Sequence, residues 1–340
     1  MHAPLRFRTS GSRKLLYFTT AFVFLFTAAL AQAKDYTRIV VFGDSLSDTG
    51  NVTHLFQHDW GYPIPGTFVD YTDGRFTDGF DTVPAAQRYF GVWIEQFAAS
   101  MPSRPEVKNS LDGGTNYAYG YAITGNGTGS FAPGDDPAFA VEVDNMGKQI
   151  TTYLATHPKI NKSTLFVIWG GANDLIHATS PDAIGTAAYQ ETLDIKRLIE
   201  AGATQFLVLN LPPLGLTPRL NGTQLSAEGG NMAAAAFNFW LATDLSELQD
   251  LYADRHIAFF QLDVYALFNR IAASPAHFSL GNITASSQGN FAADPDNYLF
   301  WDDIHPTTHG HSIVAAEAIK LVASPQCDSW GIPSCAAAFQ

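Results

Sequence analysis

The sequence predicts a three-layer α/β/α fold, a central parallel sheet of about five strands with helices on both faces, and two observations predict it. Short runs rich in β-branched and aromatic residues recur without the polar alternation of a half-exposed strand, as expected where both faces of a sheet are covered. Longer segments with helical spacing lie between them, the strand-then-helix rhythm that a parallel sheet requires.

The first strand falls over Thr37–Asp44, where Ile39, Val40, Val41 and Phe42 are apolar in succession. The others fall over Thr115–Tyr121, Thr164–Gly170, Thr204–Asn210 and Ile257–Asp263, most of them stopping at a Gly, Asn or Asp suited to a turn. Helices are expected over Val92–Met101, Ala187–Ala201, Asn231–Arg255 and Thr308–Val322. The last opens just after Pro306 and repeats apolar residues at Ile313, Val314, Ala318, Leu321 and Val322. Between the first two strands, residues 52–112 form a long connection dense in Gly, Pro and aromatics, such as Trp60-Gly61-Tyr62-Pro63 and Tyr71-Thr72-Asp73-Gly74-Arg75-Phe76. Such a segment reads equally as a cover over a functional site and as surface decoration with its own aromatic cluster.

At the N-terminus, Arg6, Arg8, Arg13 and Lys14 precede an uncharged apolar run from Leu15 to Leu30, followed by Ala31-Gln32-Ala33. The run is short for a bilayer span and ends in small residues, so residues 1–33 read as a secretory signal peptide cleaved after Ala33 rather than as a membrane anchor. Residues 34–340 then form one domain, since no linker, charge block or repeat interrupts them. Removing residues 1–33 takes away four basic and no acidic side chains and moves the formal net charge from −13 to −17, which disfavours nucleic acid and anionic membranes as partners. Cys327 and Cys335 lie close together near the C-terminus, without metal-site spacing, and in an oxidising compartment they are expected to staple the tail. Sequons at Asn51, Asn126, Asn161, Asn221 and Asn282 agree with a secretory route, Asn51 being the doubtful one because of the motif it sits in.

Four segments carry candidate chemistry. In Ile39-Val40-Val41-Phe42-Gly43-Asp44-Ser45-Leu46-Ser47-Asp48-Thr49-Gly50-Asn51 a strand runs into a turn that would expose the Ser45 hydroxyl at the strand's carboxyl end. In Phe300-Trp301-Asp302-Asp303-Ile304-His305-Pro306 one loop offers a histidine to accept a proton and a carboxylate to fix its tautomer, the two groups a serine nucleophile needs. Leu165-Phe166-Val167-Ile168-Trp169-Gly170-Gly171-Ala172-Asn173-Asp174 ends a strand with an amide able to meet a developing oxyanion. Gly114-Thr115-Asn116-Tyr117-Ala118-Tyr119-Gly120-Tyr121-Ala122 offers a glycine N–H with no side chain in the way. Each alone also reads as an ordinary turn or a helix cap.

Taken together and in their order along the chain, the four segments resemble the GDSL family of the SGNH hydrolases, whose flavodoxin-like α/β/α fold the resemblance implies, and in particular its secreted, fungal-type acylhydrolases and acetylesterases. The likeness runs from the first strand to the helix after His305, and Leu211-Pro212-Pro213-Leu214-Gly215 also looks like a segment many members carry. It implies that Ser45 is the nucleophile, His305 the general base and Asp302 the carboxylate that orients it, with an oxyanion hole formed by the N–H groups of Ser45 and Gly120 and the amide of Asn173. Members often read Asn-Phe-Ala-x-Gly-Gly-Ala where this chain has Tyr121 in place of the second glycine, so the glycine donor is the one open assignment. Asp303 competes with Asp302, and the Asp-x-x-His spacing decides for Asp302.

The reading is a secreted serine carboxylic ester hydrolase, active on an ester of a lipid, a sugar acetate or another small alcohol, with no metal or other cofactor, no stable membrane insertion and a monomeric state. No Gly-x-Ser-x-Gly elbow is present, and His305, His309 and His311 would spread over different faces of a helix instead of converging on a metal. Two other readings share these residues: a secreted binding module on the same fold that has lost turnover, and an enzyme that passes its acyl group to an acceptor other than water.

Overall fold

The structure is a computed structural model that describes residues 36–66, 71–72, 74–79, 89–133, 136–178, 180–290 and 292–324. Its strands are β1 (Arg38–Gly43), β2 (Thr128–Phe131), β3 (Val141–Asp144), β4 (Thr164–Trp169), β5 (Gln205–Leu209), β6 (Ala258–Leu262), β7 (Asn282–Ser286) and β8 (Tyr298–Phe300). Its α-helices are α1 (Asn51–Trp60), α2 (Trp93–Ser100), α3 (Met146–Thr156), α4 (Ala172–Ile176), α5 (Pro181–Glu200), α6 (Gln224–Leu251), α7 (Val264–Ala273) and α8 (Thr308–Val322). The central sheet is parallel, in the order β1-β4-β5-β6.

Side-chain alternation splits each central strand between two cores. Ile39 and Val41 of β1, with Leu165 and Val167 of β4, pack under α2, α7 and α8, whereas Val40, Phe42, Phe166 and Ile168 pack under α3, α5 and α6. All eight are fully buried, which is why these strands read as unbroken apolar runs. A third, smaller cluster of Val52, Phe56, Phe76, Tyr119, Ala122, Val141 and Val143 joins α1 to the β2–β3 hairpin.

The central sheet has four strands, so the expected second strand over Thr115–Tyr121 is corrected. That segment does run along the free edge of β1: the Val41 N–H donates to Thr115 O, Tyr117 N–H to Val41 O and Tyr119 N–H to Gly43 O, at 3.1, 2.8 and 3.2 Å. Its outer edge is met by the backbone of residues 108–110 only at Asn116, and otherwise by side chains instead of a regular strand. Asn51 Nδ2 donates to the carbonyls of Asn116 and Ala118, and the Ala118 N–H donates to Asn116 Oδ1. These local bonds bend the backbone out of a regular ladder.

Helix α1 occupies the start of the connection expected to be loop, and α3 precedes β4 where no helix was expected. The expected helix over Thr308–Val322 is α8, whereas α5 and α6 begin six or seven residues before the expected Ala187 and Asn231. The sequon at Asn51 is fully buried with its amide committed to two carbonyls, so it is closed to glycosylation in the folded protein. The expected signal peptide over residues 1–33 and both cysteines, Cys327 and Cys335, lie outside the described residues. Among the described residues no helix is long and apolar enough to cross a membrane.

Candidate active site

The carboxyl ends of β1 and β4 come so close that a Cβ on Gly43 would lie 2.3 Å from the Trp169 carbonyl oxygen, so only glycine fits there. Gln149 of α3 clamps this end, accepting from the Gly43 N–H at 3.0 Å and donating to its carbonyl at 2.9 Å. The chain then turns, with Leu46 N–H donating to Asp44 Oδ1 at 3.0 Å, and leaves Ser45 at the sheet's carboxyl edge, where open α/β sheets hold their ligands.

The other half of the site comes from the loop between β8 and α8. The Trp301 N–H donates to His305 O and the Thr307 N–H to Leu299 O, which folds residues 301–306 into a tight turn. Helix α8 is capped by the Thr307 hydroxyl, which accepts from the Gly310 N–H at 3.0 Å, and this leaves Asp302 free of capping duty. His305 Nε2 lies 2.8 Å from Ser45 Oγ and His305 Nδ1 lies 2.6 Å from Asp302 Oδ2. Asp302 Oδ1 accepts the N–H groups of Ile304 and His305 at 2.8 and 2.6 Å, and Oδ2 also accepts the Tyr71 hydroxyl at 2.7 Å. Burial by itself would raise the Asp302 carboxyl, but the charge of and hydrogen bond to His305, with these two N–H donors, bring it down to about 2. Asp303 turns away and pairs with Arg219 at 2.9 Å on an exposed face.

Asn173, at the start of α4, lines the same pocket as Ser45 and His305. One of its two amide hydrogens is donated to Ala122 O at 2.9 Å, which orients the group and leaves the second hydrogen for a ligand. Gly120 is a correction. Its N–H donates to Asp48 Oδ2 at 2.9 Å, and a Cβ there would sit 2.3 Å from the Phe76 ring, so the residue is glycine to admit Phe76 and its donor is already used. The next residue, Tyr121, has φ of 72°, the left-handed backbone that favours glycine. Within the described residues the N–H groups of Ser45 and Tyr121 donate to nothing.

Sequence reasoning missed the organiser of this region, the Asp48-Thr49-Gly50-Asn51 run. Asp48 Oδ1 accepts the N–H groups of Gly50 and Asn51, and its Oδ2 accepts those of Val52 and Gly120. Asn51 ties the same turn to Asn116, Ala118, Ser110 and Leu111. The signal was visible as a dense polar run straight after an apolar strand.

The pocket beside Ser45 spans the carboxyl ends of β1, β4 and β5 and reaches the first turns of α7. Apart from Asp44, Ser45, Asn173 and His305, its wall is mostly apolar, with Leu46, Trp169, Pro212, Pro213, Leu214 and Phe268, around a cavity of about 30 Å³. A hydroxyl hydrogen-bonded to an imidazole, itself bonded to an ionised carboxylate, can deliver a nucleophilic oxygen, and the apolar slot can hold the group it attacks.

The model of the GDSL-like lipase/acylhydrolase family matches residues 39–318. The thermolabile hemolysin of Vibrio parahaemolyticus is 26% identical over 86% of the chain and 65% of its own length, so the chain spans just under two thirds of that relative. A GDSL esterase/lipase of Arabidopsis thaliana is 26% identical over 82% of the chain and 85% of its own length. The phosphatidylcholine-sterol acyltransferase of Aeromonas hydrophila is 24% identical over 87% of the chain and 94% of its own length. Among solved structures, the inhibitor-bound aryl esterase of M. smegmatis superposes with a TM-score of 0.43 at 19% identity, covering 84% of this chain and 98% of that one.

Proposed function

The chain belongs to the GDSL-like lipase/acylhydrolase family, a family of ester-bond hydrolases, and on that premise we propose that it is a serine carboxylic ester hydrolase with Ser45 as nucleophile. The observation that carries this reading is the unbroken row from Ser45 Oγ through the His305 ring to Asp302 Oδ2, with links of 2.8 and 2.6 Å. His305 takes the Ser45 proton as the oxygen attacks the ester carbonyl, and Asp302, ionised at every working pH, holds the tautomer and steadies the imidazolium. The oxyanion rests on the Ser45 N–H and the free hydrogen of the Asn173 amide. The alcohol leaves with the proton from His305, and water, deprotonated by the same ring, releases the acid.

The slot supports a short acyl group, because about 30 Å³ is room for a few heavy atoms where a cavity of ~150 Å³ takes a benzene ring. Its apolar wall suits an unbranched acetyl to butyryl chain, and sugar acetates fall within that class. Secretion belongs to the same proposal and rests on residues 1–33, with Asn126, Asn161, Asn221 and Asn282 as sequons in exposed or half-buried positions.

Replacing Ser45 by Ala tests the mechanism. Hydrolysis of p-nitrophenyl acetate is expected to fall by at least ~10³-fold, with loss of fluorophosphonate labelling and an unchanged melting temperature. A Ser45→Ala protein that works at the parent rate ends the proposal. A series of p-nitrophenyl esters from acetate to decanoate tests the slot separately, with kcat/KM expected to be highest at two to four carbons.

A further inference from the structure

The long connection between β1 and β4 reaches into the site at four points. Tyr71 donates its hydroxyl to Asp302 Oδ2 at 2.7 Å, the same oxygen that meets His305 Nδ1. The Phe76 ring lies 5.2 Å from the His305 ring, tilted by 34°. Beyond His305, the Thr77 hydroxyl donates to Pro306 O at 3.0 Å, and the Asp78 carboxylate accepts both the N–H and the hydroxyl of Thr308. Tyr71 therefore sits where the loop's hydrogen bonding meets the charge of the site. Its ring packs edge-on against Trp301 and Phe76, so the phenol is held at one position. The side chain of Gln288 also hydrogen-bonds the phenol.

We propose that Tyr71 is a positioning residue for the hydrolytic row: by sharing Asp302 Oδ2 with the imidazole N–H, its hydroxyl fixes the carboxylate's rotation and sets the pH at which His305 becomes a base. The inference rests on the reading of Ser45, His305 and Asp302 given above. A carboxylate oxygen that accepts a second hydrogen bond has less negative charge to offer the imidazolium, so the imidazolium forms less readily. The phenol keeps its proton, because burial and the Asp302 charge hold it far above the ordinary tyrosine range. Other ionisable groups also face this row, and Tyr71→Phe leaves each of them in place. Asp44 approaches His305 from the β1 turn and is pushed up by burial to about 7, and His311 of α8 is held neutral by burial, at about 3. Asp303 and Arg219 neutralise one another at the rim.

The test is the pH profile of kcat/KM for p-nitrophenyl acetate in Tyr71→Phe, which keeps the ring and removes only the hydroxyl. The acid limb is expected to move to higher pH by about half a pH unit and kcat to fall about tenfold, with KM within twofold. Gln288→Ala should move the limb the same way by less. A Tyr71→Phe limb that coincides with the parent's overturns the proposal, even if the melting temperature or overall rate falls, because a merely structural tyrosine would do that. Ser45→Ala, assayed alongside, separates the two readings. If it retains the parent rate the hydrolytic reading fails, and if it is inert while the Tyr71→Phe limb stays put only this inference fails.

Discussion

Two groups of buried carboxyls flank Ser45, the one on the His305 loop and those beneath the β1 turn. Exposure does not separate them, for Asp302 is 7% exposed, Asp44 1%, and Asp48 and Glu191 0%. Their partners do. Glu191 of α5 has no hydrogen-bond partner for either oxygen among the described residues and is raised well above its ordinary value by burial and by the nearby Asp174, Asp194 and Asp44. Asp44, with the Leu46 N–H, stands at about 7, and Asp48, with four N–H donors, is still raised by burial to about 6. Asp302 also accepts from four donors, but one of them is an imidazole that can carry charge, and it alone falls to about 2. Peptide dipoles soften the cost of burying a carboxylate, and a facing cation reverses it. Of these four, only the Asp302 carboxylate keeps its charge well into the acid range.

Asp302→Asn separates the two groups of carboxyls by the largest effect. It keeps the shape and removes the charge, and if the ionised carboxylate orients His305 it should cost about 10⁴-fold in kcat on p-nitrophenyl acetate. A loss of less than tenfold would place Asp302 with the inert carboxyls.

The raised and lowered carboxyls also make stability depend on pH. Asp44 and Asp48 have folded pKa values above the unfolded 3.8, so between about pH 4 and 7 the folded state holds protons that the unfolded chain has released. Their contribution is full below pH 4 and is lost as pH rises through 6 and 7. Asp302 works the other way, contributing above pH 4 and losing its contribution as pH falls toward 2. The melting temperature should therefore be higher at pH 5 than at pH 8, by several degrees in calorimetry, and a flat or rising trend would contradict the raised values. Glu191→Gln, which removes one raised group, should make that slope shallower.

The smallest effect is expected at Glu191 itself. Glu191→Met replaces an unpartnered buried acid by an apolar side chain of similar length and should stabilise the fold by about 1 kcal/mol, or about 2–4 °C in melting temperature. Ester hydrolysis should stay within twofold of the parent. A clear loss of activity would give Glu191 a role that its lack of partners does not suggest.

Much of the fold was legible because burial on both faces leaves a plain mark. β1, β4, β5 and β6 all fall within apolar runs, and α8 spans the expected Thr308–Val322. Thr115–Tyr121 misled because its residues suit a strand while its outer edge is met by Asn51, a residue more than sixty positions away. Helix α1 was hidden because much of its surface is polar, and only Asn51, Val52 and Phe56 are buried. At the site, the Asp-x-x-His spacing picks out the carboxyl that meets His305, because one tight turn spans both residues. Gly120 was misassigned because a glycine that admits an aromatic ring looks the same in a sequence as one that bares an N–H.

By itself the sequence determined the layer architecture, the strand ends at which reactive groups would gather, and the identity of the hydroxyl, imidazole and carboxyl at those ends. Each of these is written in short-range chemistry: apolar periodicity, turn residues, and a spacing of three within one loop. The tertiary structure alone decided which N–H groups remain free, which buried carboxyls keep a charge, and that Tyr71 shares an oxygen with His305. Those outcomes depend on residues that meet across 70 to 260 positions of chain, and both the field at a buried atom and the partner of a donor are set by neighbours in space.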